Sequence, residues 1–283
     1  MATSPFSDGT PGASQWPIPP FHYFDYELQI DLNMAGTYFY HSHIGFQAVT
    51  AAGPLIVEEA GKPPYQYDDE RIIALADIFE KSDEDIEHGL LGKDNTPFVW
   101  SGETANVLVN GQGQLPDKPA SPGCELASIS VEPDKTYRFR IIGGTALSFV
   151  TFAFEDHNDM VLIEADGNYV QPVNVSYIQI GSGQRFSVLL KTKSRNEVKT
   201  KSQFFMQIET RDRPSLTRSY AILEYQLPTS KRAPFPITPR LSIPSGNPPL
   251  ILPPTTQGWL DYELLSLYPD PDFPTTAQVT RRV

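Results

Sequence analysis

The sequence predicts an all-β protein built as a barrel or sandwich. Three observations carry this expectation. About ten short β-rich runs follow one another between residues 70 and 227, at the spacing typical of such folds. Turn signals separate many of them, among them Asn110-Gly111, Asp166-Gly167 and Gly181-Ser182-Gly183. Only one segment of the chain reads as a helix.

In chain order, residues 1–20 hold five Pro and two Gly and read as a loop. Residues 22–59 carry three β signals. Phe24, Tyr26, Leu28 and Ile30 alternate with polar neighbours, residues 37–43 (TYFYHSH) form a second run, and residues 53–58 (GPLIVE) a third. Residues 61–69 read as a linker. Strands are then expected at 71–79, 105–110, 127–131, 136–142, 149–154, 160–165, 177–180, 186–191, 204–209 and 220–225. The one helix is expected over 83–88, with Ser82 as its cap, acids in its first turn and Gly89 as its stop. Residues 228–283 hold 12 Pro in 56 residues. Proline removes ladder donors, so this stretch predicts an extended linker that wraps a surface or is partly disordered. Residues 278–283 read as a strand just beginning.

Composition narrows the function classes. Lys and Arg number 22 against 34 Asp and Glu, a net charge of −12. That balance argues against nucleic acid, whose phosphates demand a basic face, and equally against an anionic membrane surface. Polar residues interrupt every apolar run, so no transmembrane helix is expected. A single cysteine, Cys124, excludes an internal disulfide framework and a Cys-rich zinc site. The N-terminal residues have neither a basic nor an apolar signal region. The chain reads either as cytosolic or as a piece whose natural start is missing.

The candidates for chemistry are few. The histidines are His22, His41, His43, His88 and His157. His41 and His43 flank Ser42 at the end of a β run. Side chains two apart on a strand share a face, about 6.6–6.8 Å apart at Cα. Two imidazoles so placed can reach one metal or a metal pair; taken alone, the spacing equally suits ordinary surface or core histidines. His22 reads as structural, beside aromatic packing. His88 sits where it meets the C-terminal dipole of the helix, and His157 follows Glu155-Asp156 in a turn. Cys124 reads as a structural thiol, and the acidic run 83–87 as a solvated helix face.

Longer motifs give these residues a context. Residues 36–47 (GTYFYHSHIGFQ) followed by residues 52–57 (AGPLIV) resemble the G-T-x-x-Y-H-S-H…Q…G-x-x-G-P-L-I-V block of multicopper oxidases, most of all the laccase-like enzymes of filamentous fungi. Residues 7–19 resemble the loop upstream of that block. Residues 107–112 (VLVNGQ), 137–142 (YRFRII), 163–167 (IEADG) and 178–187 (IQIGSGQRFS) resemble the family's second domain. The resemblance runs over roughly residues 5–227.

It implies cupredoxin-like Greek-key domains, one complete and one partial. Residues 1–60 would be part of a first domain, 61–69 a linker, 70–227 a second domain, and 228–283 the approach to a third domain that is missing. It implies copper-dependent oxidation of phenolic or pigment-type secondary-metabolite substrates, with reduction of O2 to water. The ligand role passes to His41 and His43 alone, as ligands of the type 3 pair of a trinuclear copper cluster; imidazole suits copper. The family needs eight histidines on four H-x-H-type motifs, and this chain has one such motif. Its type 1 site joins one Cys to two His, yet the next histidine after Cys124 is His157, 33 residues on. Some laccases carry a substrate-binding acid in the loop that corresponds to residues 143–148, which has none here. The resemblance therefore implies an oxidase cut at both ends, inactive alone, with other polypeptide segments completing its copper sites and a secreted or cell-wall location for the whole. The rival reading is a non-catalytic truncated cupredoxin-fold protein with little or no copper.

Overall fold

A computed structural model describes residues 7–92, 97–115, 124–226, 241–256, 258, 260–269 and 271–272. The expected strand at 278–283 and residues 228–240 of the linker lie outside the described residues. Thirteen strands and one α-helix are present among them. β1 (Gly36–His41) and β2 (Ala52–Val57) pair antiparallel as a hairpin of their own, with Thr37 opposite Ile56 and His41 opposite Ala52.

The other strands form two larger sheets. One holds β4 (Thr104–Val109), β3 (Asp69–Phe79), β6 (Thr136–Gly143), β11 (Arg185–Lys191), β8 (Met160–Ala165) and β9 (Asn168–Val175) in that order. The other holds β10 (Ile178–Ile180), β7 (Phe149–Phe154), β12 (Gln203–Arg211), β13 (Arg218–Tyr225) and β5 (Ser128–Val131). Pairing is antiparallel except for β3 with β6 and β13 with β5. This is a cupredoxin-like, all-β sandwich.

Period-two alternation explains its core. Tyr137, Phe139 and Ile141 of β6 point inward, as do Phe186, Val188 and Leu190 of β11, and they meet Val150, Phe152 and Phe154 of β7 and Met206 and Ile208 of β12. Each such buried side chain contributes about 1.5–3 kcal/mol relative to exposure. The opposite face of β6 carries Arg138 and Arg140, both buried. This second buried face, polar instead of apolar, is where the β1–β2 hairpin attaches.

Several expectations need correction. The alternating residues Phe24, Tyr26, Leu28 and Ile30 form no strand and are exposed. Among the described residues no strand lies beside them, and a strand exists only with a partner for its backbone donors. Helix α1 (Asp83–Leu91) does start at Ser82, whose hydroxyl accepts from the Asp85 N–H, but it runs past Gly89. Gly89 is buried inside the helix against Val99, where a Cβ would lie 2.9 Å from the Val99 carbonyl. The stop is Gly92, at φ 51°, a left-handed conformation that glycine adopts without strain. β9 was not expected from the sequence. The described residues of the Pro-rich tail do lie on the sandwich. Leu241 N–H donates to the Gln203 side chain, Leu250 N–H to that of Gln207, and Leu267 N–H to the Tyr169 carbonyl.

Candidate metal centre

The exposed end of β1 carries His41; the strand stops there, short of the expected 43, and His43 follows in the loop beyond it. Burial falls along the strand, from buried Gly36 and Thr37 to exposed Tyr40 and His41. The strand leaves the body of the protein at its base and presents its tip to solvent. His41 and His43 lie together there, with ring centroids 4.6 Å apart and planes at 32°. Phe39, on the same strand face as His41, stacks on it at 5.4 Å.

The intervening backbone is held by Ser42. Its hydroxyl donates to Gln47 Oε1 at 3.1 Å and accepts the Ile44 N–H at 3.1 Å, while its own N–H donates to Ala51 O. Phe46 follows in the same loop and packs on Phe79 of β3 with ring centroids 6.2 Å apart. The Nδ1 of His41 lies 2.9 Å from the Ser42 carbonyl. A carbonyl only accepts, so Nδ1 carries the proton and Nε2 keeps its lone pair for a metal.

The donor set fits copper in kind, since neutral imidazole is a good ligand for it. It is short in number. Among the described residues no group of three or more His, Cys, Asp or Glu side chains could hold a metal ion.

The base of β1 is held by a buried polar cluster. Thr37 N–H donates to Glu164 Oε1 at 2.6 Å and its hydroxyl donates to Glu164 Oε2 at 2.9 Å. Arg138 Nη2 pairs with Glu164 Oε2 at 2.6 Å, and the Ser187 hydroxyl donates to the same oxygen. Arg140 Nη1 donates to the Thr37 hydroxyl at 3.0 Å and pairs through Nη2 with Glu70 at 2.9 Å. Arg185 Nε reaches the Thr37 carbonyl at 3.2 Å. Burial works against the Glu164 charge, but the Arg138 guanidinium, then hydrogen bonds from Ser187 and Thr37, hold its pKa below the usual carboxylate value. Tyr169, which accepts from Arg138, is pushed up to about 12, chiefly by burial.

A β-bulge aims Glu164 at this cluster. Val188 of β11 pairs with Leu162 and Ser187 with Glu164, leaving Ile163 unpaired. Without the extra residue Glu164 would follow Met160 and Leu162 into the core; with it, Glu164 crosses to the arginine face. The sequence reading missed this cluster, although two Arg and one Glu inside otherwise apolar runs were a visible signal.

The remaining candidates lie elsewhere. His157 is buried, with Nδ1 donating to the Glu155 carbonyl at 2.6 Å and Nε2 accepting from the Tyr225 hydroxyl at 2.7 Å. Its bonds are spent on structure, and burial lowers its pKa. His22 is exposed, with its Nδ1 on the Pro20 carbonyl. His88 is exposed in the last turn of α1. Cys124 is an exposed thiol, which corrects the expectation of a structural one. The loop 143–148 is fastened by Asp77, whose carboxylate accepts the N–H groups of Ala146 and Leu147. Among the described residues no helix is long and apolar enough to cross a membrane.

Fold and site together define a cupredoxin-like β-sandwich protein with two adjacent imidazoles at the exposed tip of one hairpin. Two family models, both described as Multicopper oxidase, match residues 69–228 and 1–62. The chain belongs to the multicopper oxidase family. It is 44% identical to Laccase-like multicopper oxidase 1 of Thermothelomyces thermophilus, over 99% of this chain and 48% of that protein. It is 46% identical to Multicopper oxidase terE of Aspergillus terreus, over 100% of this chain and 53% of that protein. The crystal structure of Fet3p, a multicopper oxidase that functions in iron import, superposes with a TM-score of 0.67 at 24% identity, over 95% of this chain and 47% of that one. That last likeness shows the fold alone. The chain spans about half the length of the curated relatives it matches. Family membership implies copper as the cofactor.

Proposed function

We propose that this chain is the part of a laccase-like multicopper oxidase that supplies two imidazole ligands, His41 and His43, to the type 3 pair of its trinuclear copper cluster. The whole oxidase would withdraw electrons from a phenolic or secondary-metabolite substrate and pass them to O2, giving water. The observation that carries the reading is the H-S-H pair itself: two rings 4.6 Å apart at the exposed tip of β1, with the His41 Nε2 lone pair directed away from its own hydrogen-bonded side. When bound, copper supplies the one-electron chemistry. The chain's own residues hold the ligands. The laccase-like relative supports the substrate class by its name alone.

A second reading, a cupredoxin-fold chain with no catalysis and little copper, is favoured by the small donor set, since no group of three or more candidate ligands exists among the described residues. An assay of copper-loaded chain with a phenolic dye, against free copper, addresses both. No steady turnover is expected from the chain alone, because two imidazoles leave copper largely solvated. Steady turnover that His41→Ala abolishes would show that this chain builds a complete site by itself.

A further inference from the structure

We infer that Glu164 is a positioning residue for the histidine pair, acting through Thr37. This inference rests on the proposed ligand role of His41 and His43. An edge strand lacks backbone partners along its outer side. Among the described residues β1 pairs with β2 on one side only, so its outer N–H and C=O groups need partners from elsewhere. At Thr37 they have them. Glu164 takes the N–H and Arg185 supplies a donor to the C=O. Two side chains thus do at one residue what a neighbouring strand would do along its length.

The hydroxyl of Thr37 adds further bonds, to Glu164 and from Arg140. Next to it, Gly36 lies so close to Gly167 that a Cβ would stand 2.7 Å from the Gly167 Cα. The backbone is therefore seated as well as bonded. Tyr38 meets the same surface, under the Arg185 guanidinium at 5.7 Å.

Thr37, Phe39 and His41 share one strand face by the period of two. Thr37 is buried, Phe39 is half-buried and stacks on His41, and His41 is exposed. Four residues of strand, about 13 Å, separate the anchor from the ligand. A rigid strand clamped at its buried base fixes the direction of its free tip. Phe46 against Phe79 supplies a second point of contact beyond the histidines. A change at Glu164 or Thr37 therefore reorients imidazoles that neither residue touches.

The test uses the full chain and the variants Thr37→Val, Thr37→Ser and Glu164→Gln. Thr37→Val removes the hydroxyl bonds and leaves the Arg138–Glu164 pair intact, so it keeps the question open if Glu164→Gln fails to fold. Amide exchange along β1, ring-to-ring NOEs between His41 and His43, and Cu(II) affinity are measured beside the thermal midpoint. In Thr37→Val, exchange of the Thr37–His41 amides should speed at least tenfold, the NOE should weaken and copper should bind about tenfold more weakly, at an almost unchanged midpoint. Thr37→Ser should restore all three. Wild-type exchange, NOE and affinity in Thr37→Val would overturn the inference. The exchange and NOE readings need no copper. If the wild-type chain and a His41→Ala/His43→Ala double variant bind copper alike, the ligand reading fails while the anchor is still judged on those two readings.

Discussion

Thr37 and Glu164 stand 127 residues apart in sequence, yet the Thr37 N–H lies 2.6 Å from one carboxylate oxygen and the Thr37 hydroxyl 2.9 Å from the other. The carboxylate is almost wholly buried and is balanced by Arg138, itself 1% exposed at the side chain. Such a pair joins the β1–β2 hairpin, which carries His41, to the sandwich.

Removing one member should be costly. Glu164→Ala leaves the Arg138 guanidinium buried without its partner, a loss of about 3–5 kcal/mol. Urea unfolding of the whole chain measures it; a loss below about 1 kcal/mol would mean that the pair is better solvated than its burial indicates.

Acid should act through the same group. The folded pKa of Glu164 is lowered, so its contribution is complete above the unfolded value near 4.3 and is lost as pH falls through the folded value. Glu164→Gln should show a shallower fall of stability over that acid range than the wild type. Parallel curves would remove Glu164 from the acid response.

His157 acts in the same direction, but nearer neutral pH. Burial depresses its folded pKa below the ordinary histidine value of about 6.5. Between the two values the unfolded chain binds more protons, so stability should fall as pH drops below about 6.5. His157→Gln should cost about 1–3 kcal/mol at pH 7.5, because the Tyr225 hydroxyl and the Glu155 carbonyl lose their partner, and should flatten the decline between pH 7 and 5. An unchanged decline would place it on other groups.

Gly36→Ala presses a methyl group against the Gly167 backbone. A cost of about 1–3 kcal/mol is expected, with faster amide exchange in β1 than in β6. Wild-type stability and exchange would show that hairpin and sandwich are not seated as closely as described.

Residues 66–228 should fold alone, since β3 to β13 close two sheets over one core. The β1–β2 hairpin by itself has two strands, too few for independent stability in water. Cooperative unfolding of a 66–228 fragment checks this; an unfolded fragment would show that residues 1–65 or the tail are needed.

Much of this was legible in the sequence. Alternation in β6, β7, β11 and β12 marked both the strands and their core faces, because each buries one side. His41 and His43 were legible as an H-x-H spacing at the end of a β run, although the strand stops at His41 and His43 comes beside it from the loop. β9 was not, since Gln171, Pro172 and Asn174 break the apolar pattern that a half-exposed edge strand does not need. The bulge at Ile163 was not legible either: a strict period places Glu164 in the core with Leu162, and only the partner strand reveals the extra residue. The run from Phe24 to Ile30 misled in the other direction, as alternation reports a suitable surface and not the presence of a partner.

The central claim is that His41 and His43 hold copper for this family's chemistry. Isothermal titration of Cu(II) into the full chain and into the His41→Ala/His43→Ala double variant tests it most directly. One weak site is expected in the wild type and its loss in the double variant, with both proteins unfolding at similar temperature. Equal copper binding by the two would contradict it.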